Sequence, residues 1–271
     1  MKPSDPQDKP LGEHLEDLRG VLWRCILVWV IASAVAFCCK DFLFAVIFAP
    51  AKSDFGIFRG LTWLADHLHW DSLRPSDHTP SFIATELTAQ FMTHLTVSLA
   101  AGFVVSSPYL IAKLYGFVAP ALTLTEKRFS VWLTVAGSIL FWLGGLLNYF
   151  IIFPFAYRFL STYQVQPDVV NQITISSYIS LFLVLSLLMG VLFELPVLAY
   201  FLTRMGLLSA QTMRHYRKHA FVAILIIAAV ITPTGDAVTL LLVALPIYAL
   251  YLLSILVARR TQTRIDAKKT I

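Results

Sequence analysis

Residues 116–128 read GFVAPALTLTEKR and form a short polar segment between two long apolar runs. The segment carries one acid, two bases, an aromatic side chain and a proline, and a new apolar run begins at Phe129. Charged side chains are costly in a membrane interior, so this segment interrupts two spans. We therefore expect the rest of the chain to hold the segment against one face of a membrane.

The composition is typical of a membrane protein. Hydrophobic residues make up 58% of the 271 residues and charged residues only 14%, whereas soluble globular chains are roughly 45–50% apolar and about 25% charged. A transmembrane helix needs about 20 apolar residues, so the chain has room for roughly six spans. The net charge of +5 comes from basic residues spread over several loops, without the basic stripe of a nucleic-acid-binding protein.

The apolar runs predict an all-α polytopic membrane protein with a single six-span domain over residues 1–271. The predicted spans cover about residues 23–39, 91–114, 129–155, 178–203, 220–231 and 237–258. Serine, threonine and glycine in the second span favour close helix packing inside the bundle. Residues 40–88 alternate charges with prolines and predict one large extracytoplasmic loop, in which Phe55 to Leu68 predicts a helix on the membrane surface.

The last two spans predict a short hairpin. Ala220 to Ile231 is a run of 12 apolar residues, which is roughly 18 Å of helix against a hydrocarbon thickness of ~30 Å. The sixth span contains Pro246. We therefore expect the turn around Asp236 to lie deep, or the bilayer to thin around the hairpin. Asp236, in a Pro-Thr-Gly-Asp sequence, is most simply a turn former.

The basic residues predict the orientation of the chain. Sixteen of the 21 lysines and arginines fall in the two termini and in the loops after the second and fourth predicted spans. The other five lie in or beside the opposite loops. Because cytoplasmic loops carry an excess of Lys and Arg, both termini and the 116–128 segment are predicted to be cytoplasmic.

Sequence motifs argue against an enzyme. The chain has no GxxxxGK[ST] phosphate-binding loop, no HExxH or CxxC metal motif, and no Gly-x-Ser-x-Gly nucleophile turn. Seven histidines are scattered without a ligand spacing. We therefore predict no catalytic residues, no metal and no cofactor.

Acids at the predicted cytoplasmic face are the candidate binding residues. Glu16 and Asp17 lie where the N-terminal helix meets the membrane, and Glu126 lies at the start of the third span. Each has a plainer interpretation: Glu16 and Asp17 as a solvated helix face paired with Arg19, and Glu126 as a helix-start residue after a Thr125 cap. Two carboxylates on one membrane face would also bind a basic peptide.

Arginine is the natural partner of such a pair of carboxylates. Its planar guanidinium can bind a carboxylate through two hydrogen bonds, and lysine cannot. Phe117 and Pro120 would add apolar contact beside the charges. Glu194 is separate from this group, because it lies inside the fourth span, where a carboxylate costs roughly 2.5–3.5 kcal/mol. It should face the bundle interior or water, either as a functional group or as a packing group with a hydrogen bond.

Several motifs together resemble the C subunit of the twin-arginine protein translocase, the TatC family, along nearly the whole chain. They are HLEDLR at 14–19, Ala49-Pro50, FVAPAL at 117–122 with EKR at 126–128, Phe153-Pro154, FELP at 193–196, ITPTGD at 231–236 and ALP at 244–246. Each motif is short, but their occurrence in this order across six predicted spans is specific to that family.

The resemblance implies a receptor in the bacterial cytoplasmic (inner) membrane that binds twin-arginine signal peptides of folded proteins. It implies transport driven by the proton gradient, contact with membrane lipids, and single-span TatA- and TatB-type partners in a homo- and hetero-oligomer, with no nucleic acid. In the family, the acid of the N-terminal motif and the glutamate of the first cytoplasmic loop bind the arginine pair. These correspond to Asp17 and Glu126, with the loop aromatic at Phe117 and the intramembrane acid at Glu194.

The chain departs from the family pattern at a few positions. Glutamate is usual where Asp17 stands, although Glu16 lies beside it, and tryptophan is usual where Tyr115 stands. On the sixth span Leu240 and Leu252 replace residues that are commonly polar or acidic, which bears on partner docking. The loop from about residue 64 to residue 80 is longer than is typical.

Two other functions remain open from the residues alone. A proton-coupled small-molecule transporter could use Glu194 as its relay, although no inverted repeat and no paired broken helices are evident. A passive membrane scaffold would use neither Glu194 nor the cytoplasmic acids. Pro50, after the first span, is expected in a turn at the extracytoplasmic face.

Overall fold

The computed structural model describes residues 11–68, 81–118, 127–166, 168–169, 171–231 and 237–269. Its α-helices are α1 (Leu11–Cys38), α2 (Lys40–Phe48), α3 (Gly56–Leu68), α4 (Ala89–Val118), α5 (Lys127–Leu147), α6 (Phe153–Thr162), α7 (Ile175–Phe193), α8 (Leu195–Arg204), α9 (Ala210–His215), α10 (Arg217–Ile231) and α11 (Ala237–Lys269). Strands β1 (Phe82–Ile83) and β2 (Ile173–Thr174) are short. The chain is therefore mostly helical, as the sequence predicts.

Five stretches of helix are long and apolar enough to cross a membrane. They are Leu18–Cys38, Ala89–Gly116, Val131–Thr162, Ile175–Arg204 and Thr239–Thr263. The predicted fifth span falls on α10, whose 15 residues extend about 22 Å. α10 is thus shorter than any of these five stretches, and it forms where the sequence predicts a short apolar helix.

Two of the long stretches are interrupted, each beside a proline. A π-helical turn, Asn148–Ile152, joins α5 to α6, and Pro154 follows it at the start of α6. The straight helix also ends at Glu194, whose amide hydrogen-bonds to the carbonyl of Val191, and Pro196 follows in the first turn of α8. Proline lacks an amide hydrogen and clashes with the preceding turn, which accounts for both interruptions.

The long helices pack side by side, some antiparallel and some parallel. α4 packs against α1, α5 and α7, while α11 packs against α8 and α10. Four of the six polar side chains predicted to place the second span inside the bundle are buried in α4; they are Thr93, Ser98, Ser106 and Ser107. Of the other two, His94 is half-buried and Thr96 is exposed. Small polar side chains let helix backbones approach closely, so α4 occupies the interior of the bundle.

The segment that follows α1 builds a cap over one end of the bundle. α2 and a 3-10 turn, Ala49–Ala51, bring the carbonyl of Ile47 to the hydroxyl of Tyr178, at 2.8 Å. α3 forms where the sequence predicts a helix, and its Phe58 is 3% exposed beneath the cation of Arg158. We call this face the cap end.

A small strand pair belongs to the cap end and is not expected for an all-α chain. β1 and β2 pair in parallel, with Phe82 opposite Ile173 and Ile83 opposite Thr174. The ring of Phe82 contacts those of Phe48 and Tyr178, with centroids 4.9 Å apart in each case. The strand pair therefore connects the segment that precedes α4 to the residues that directly precede α7.

Candidate functional site

The register between α1 and α4 brings the N-terminal motif to the end of α4. Trp29 donates a hydrogen bond to the carbonyl of Leu99 at 2.8 Å, and the rings of Phe37 and His94 stack at 4.0 Å. These pairs show antiparallel helices, because higher numbers on α1 face lower numbers on α4. When this register is extended to the start of α1, residues 16–19 lie at the same height along the bundle as residues 113–118.

A close approach fixes this register. Gly102 of α4 lies directly against Ser33 of α1, so a side-chain carbon at position 102 would collide with the serine backbone and hydroxyl. Ser33 itself hydrogen-bonds to the carbonyl of Trp29 at 2.8 Å and is 6% exposed. The contact leaves little freedom for α1 to slide along α4.

The start of α5 lies at the same end. Trp142 of α5 donates to the hydroxyl of Ser107 at 3.1 Å, and Gly137, earlier in α5, lies beside the ring of Tyr115, later in α4. α4 and α5 are therefore antiparallel, and Val118 and Lys127, which flank residues 119–126, both lie at the end of the bundle where α1 begins. We call this face the open end.

The structure describes only some of the predicted binding residues. Glu16 and Arg19 are exposed on the first turns of α1. Asp17 and Phe117 lie in α1 and α4, and their side chains are outside the described part of the structure. Pro120 and Glu126 lie outside the described residues altogether. The backbone thus brings the two motifs to one face, and their side-chain contacts remain a prediction.

Glu194 lies at the break between α7 and α8. The hydroxyl of Tyr115 donates to Glu194 Oε2 at 2.7 Å, while Glu194 Oε1 is buried and has no hydrogen-bond partner among the described residues. Gly137 of α5 lies beside the pair, and the Tyr115 ring contacts Phe201 with centroids 5.0 Å apart. The carboxyl therefore faces the bundle interior, as predicted for an acid in a span.

This hydrogen bond connects two regions that the sequence treats separately. Tyr115 is in the last turn of α4, one residue before the segment 116–128. Glu194 consequently lies next to the end of α4, where the N-terminal motif also approaches. The sequence marks Tyr115 only as a replacement for tryptophan, so the hydrogen bond to Glu194 comes from the structure alone.

The structure describes one of the two predicted turn residues. Pro50 is buried in the 3-10 turn at the cap end, beside α6. Asp236 lies outside the described residues. Pro50 is therefore remote from the open end, and the turn at Asp236 stays a prediction.

A second buried polar pair was missed by the sequence analysis. Asn148 is 0% exposed in the π-helical turn and donates from Nδ2 to the hydroxyl of Ser186 at 2.8 Å. Its Oδ1 has no partner in the described part of the chain. A lone asparagine within an apolar run was the available signal, because such a group needs a partner inside a bundle.

The described residues contain no group of three or more His, Cys, Asp or Glu side chains that could hold a metal ion. The long apolar helices, the break at Glu194 and the polar residues at the open end define a polytopic helical membrane protein. Its polar face is built by the ends of several spans.

Comparison with known proteins identifies the family. Residues 13–246 match the family described as TatC, Sec-independent protein translocase protein. A relative of that name from Blattabacterium sp. subsp. Periplaneta americana (strain BPLAN) is 33% identical over 258 residues, covering 94% of this chain and 97% of the relative. Another, from Helicobacter pylori (strain J99 / ATCC 700824), is 41% identical over 168 residues, covering 62% and 67%. The chain belongs to the TatC family.

Solved structures agree. A crystal structure of the twin-arginine translocase receptor TatC has a TM-score of 0.68 and 28% identity, covering 92% of this chain and 99% of that one. A structure of that receptor in DDM has a TM-score of 0.70 at 28% identity, covering 90% and 99%. The chain is thus a multi-pass membrane component of the Tat translocase, a protein-transport system.

Proposed function

We propose that this chain is the receptor subunit of the translocase and binds twin-arginine signal peptides at its open end. In this proposal it organises the transport of folded precursor proteins across the bacterial inner membrane, driven by the proton-motive force. The observation that carries the proposal is the antiparallel register of α1, α4 and α5. It brings residues 16–19 level with the end of α4 and with the start of α5.

The distribution of charge supports a cytoplasmic open end. Basic residues at or near that end include Lys113, Arg204, Arg217, Arg259 and Arg260. The described basic residues of the cap end are fewer; they are Lys40, Lys52, Arg59 and Arg158. Since cytoplasmic faces carry the excess of Lys and Arg, the open end is assigned to the cytoplasm together with both termini.

The chemistry of recognition rests on two acids from different helices. Asp17 on α1 and Glu126 before α5 would each accept two hydrogen bonds from a guanidinium, so a pair of adjacent arginines could be bound at once. Glu16 is exposed beside Asp17 and adds negative charge. Phe117 and Pro120 would contact the apolar part of the peptide, and Arg19 would orient the acids of its own turn.

The translocase assembly supplies the remaining partners. Membership of the family implies TatA- and TatB-type subunits in general. We propose that these single-span subunits bind to the outer helices of this chain in a hetero-oligomer, and that the folded cargo is delivered by its signal peptide. In this role the chain binds and organises, and it catalyses no covalent reaction.

Crosslinking of a signal peptide to the chain in membranes tests the proposal. A peptide with consecutive arginines should crosslink to the wild-type chain, and the same peptide with two lysines should not. Glu126→Lys and Asp17→Ala should each weaken binding about tenfold or more, because each removes a charge-assisted hydrogen bond.

Glu86→Lys is the matched control, since Glu86 is an exposed acid near the start of α4, at the cap end. This variant should bind like the wild-type chain. Unchanged crosslinking in both Glu126→Lys and Asp17→Ala, or equal crosslinking of the arginine and lysine peptides, would contradict the proposed function.

A further inference from the structure

A groove lies between α9, the start of α10 and the last turns of α11. Its volume is about 470 Å³, within the range of about 300–1,000 Å³ found for small-molecule sites. The residues that matter for its chemistry are Arg214, Arg217, Arg259, Leu252, Ile255 and Leu256. The groove is therefore basic on one side and apolar on the other.

The groove has a strong charge imbalance. No acidic side chain is among its lining residues. Residues 195–265 contain seven lysines and arginines and a single acid, Asp236, which precedes α11. Arg214 and Arg259 are exposed. The guanidinium groups therefore favour an anionic occupant.

One of the arginines, Arg217, is held in place by a tyrosine side chain. Arg217 donates from Nε to the hydroxyl of Tyr248 at 2.7 Å, and its guanidinium lies 5.7 Å from the centre of the Tyr248 ring. The tyrosine hydroxyl accepts its hydrogen bond from Nε, so the two terminal nitrogens of the guanidinium take no part in this bond. They remain suited to a tetrahedral oxyanion, which arginine binds through paired N–H groups.

The walls of the groove are fixed to one another. The amide of Ala210 donates to Gln262 Oε1 at 3.1 Å, and the hydroxyl of Tyr251 donates to the carbonyl of Met213 at 2.8 Å. Both bonds join α9 to α11, so the groove is formed before any ligand enters. A preformed site binds with a smaller entropic cost.

The apolar wall points along the membrane-spanning part of α11. Leu252, Ile255 and Leu256 lie within the span Thr239–Thr263, one to two turns inward from Arg259. An occupant must therefore have an anionic head at the membrane surface and an apolar body parallel to the helix. A phospholipid has this shape, whereas a free phosphate would leave the apolar wall uncovered.

We propose that this groove is a binding site for one anionic phospholipid of the surrounding membrane. The phosphate lies among Arg214, Arg217 and Arg259, and an acyl chain lies along α11. Basic pockets between helices at a cytoplasmic membrane face are a recognised way to bind anionic headgroups. The groove is lined by α9, α10 and α11, whereas the proposed peptide site is built by α1, α4 and α5, so lipid binding does not depend on peptide binding.

Native mass spectrometry of the full chain, purified in mild detergent, tests the proposal by counting retained lipids. Added phosphatidylglycerol should bind more tightly than phosphatidylcholine. Arg214→Gln and Arg259→Gln should each weaken phosphatidylglycerol binding roughly fivefold. Leu256→Trp, which fills the apolar wall without changing charge, should weaken binding of the same lipid. Thermal unfolding of each variant shows whether it is folded.

Arg260→Gln is the matched control, because Arg260 is exposed on the same helix end and does not line the groove. It should bind phosphatidylglycerol like the wild-type chain. Equal binding of the two lipids, or an equal loss in Arg260→Gln, overturns the proposal. Inorganic phosphate that displaces the lipid at equal concentration would show a free-anion site instead.

A protein occupant would give a different result. In that case Arg214→Gln and Arg259→Gln would release the single-span partner subunits during purification while phosphatidylglycerol binding stayed unchanged. That outcome also overturns the lipid site. None of these readouts measures signal-peptide binding, so the two proposals succeed or fail independently.

Discussion

Tyr115 and Glu194 form the contact that joins the middle of the bundle to its open end. One carboxyl oxygen accepts a hydrogen bond from the tyrosine hydroxyl, and the other is buried without a partner in the part of the chain that the structure describes. A buried polar group that loses its only hydrogen bond keeps the full cost of leaving water. The pair therefore fixes the last turn of α4 relative to the break between α7 and α8.

Tyr115→Phe is predicted to lower the free energy of unfolding by about 1 kcal/mol, the usual contribution of one such hydrogen bond. The decrease should be seen as a lower Tm of the detergent-solubilised chain. In Tyr115→Phe combined with Glu194→Leu, the two effects should not add, because each change removes the same hydrogen bond.

Tyr109→Phe is the control for this prediction. Tyr109 is on the same helix, and its ring lies beneath the ammonium group of Lys113 at 5.3 Å, away from Glu194. Loss of its hydroxyl should leave the Tm nearly unchanged. Equal decreases in the Tyr109 and Tyr115 variants would show that the bond to Glu194 contributes nothing specific.

At the scale of elements, α5 and α7 approach each other closely at Gly144. A side-chain carbon at Gly144 would lie 2.5 Å from the carbonyl oxygen of Met189 and 2.9 Å from Phe193 Cγ. Gly144→Ala must therefore push the two helices apart. We expect a loss of about 1–3 kcal/mol of stability, the usual cost of overpacking, measured as a lower Tm and faster proteolysis.

The adjacent glycine provides the matched control. A side-chain carbon at Gly145 would meet nothing within 4 Å. Gly145→Ala should therefore be neutral, or stabilise the helix by up to about 1 kcal/mol through its better helix propensity. If the two alanine variants have the same Tm, the close approach of α5 to α7 is not important for stability.

The elements themselves could largely be predicted from the sequence. Long apolar runs predict spans because a helix must be long and apolar enough to cross the hydrocarbon layer. The 12-residue run from Ala220 predicts the short α10. The pairing of β1 with β2 could not be predicted, since it joins two-residue strands about 90 residues apart. The π-helical turn before Pro154 was also missed, although proline in an apolar run marks such interruptions.

The assembly of the candidate site was predictable only in part. Charge bias predicts that the N-terminal motif and the 116–128 segment share one face, and the antiparallel register agrees with this. The approach of Glu194 to Tyr115 depends on how α7 packs beside α4, which no local pattern encodes. For the same reason Asn148 gave no indication of its partner Ser186.

At the scale of the whole molecule, the short α10 should disturb the bilayer around it. The thirteen residues from Lys218 to Val230 extend about 20 Å, and the hydrocarbon layer is ~30 Å thick. The lipid-facing side of α10 is apolar, with Val230 80% exposed. A helix this short is accommodated most simply by local thinning of the membrane.

Cysteine labelling in vesicles tests this prediction. In a chain whose three native cysteines are replaced by alanine, Val230→Cys should react with a membrane-impermeant maleimide, because thinning brings water to the end of α10. Leu187→Cys is the control: it is also exposed, and it lies twelve residues into α7, in the middle of a full-length span. Leu187→Cys should be protected. Protection of both positions would show that the bilayer keeps its thickness at α10 and that the hairpin is covered in some other way.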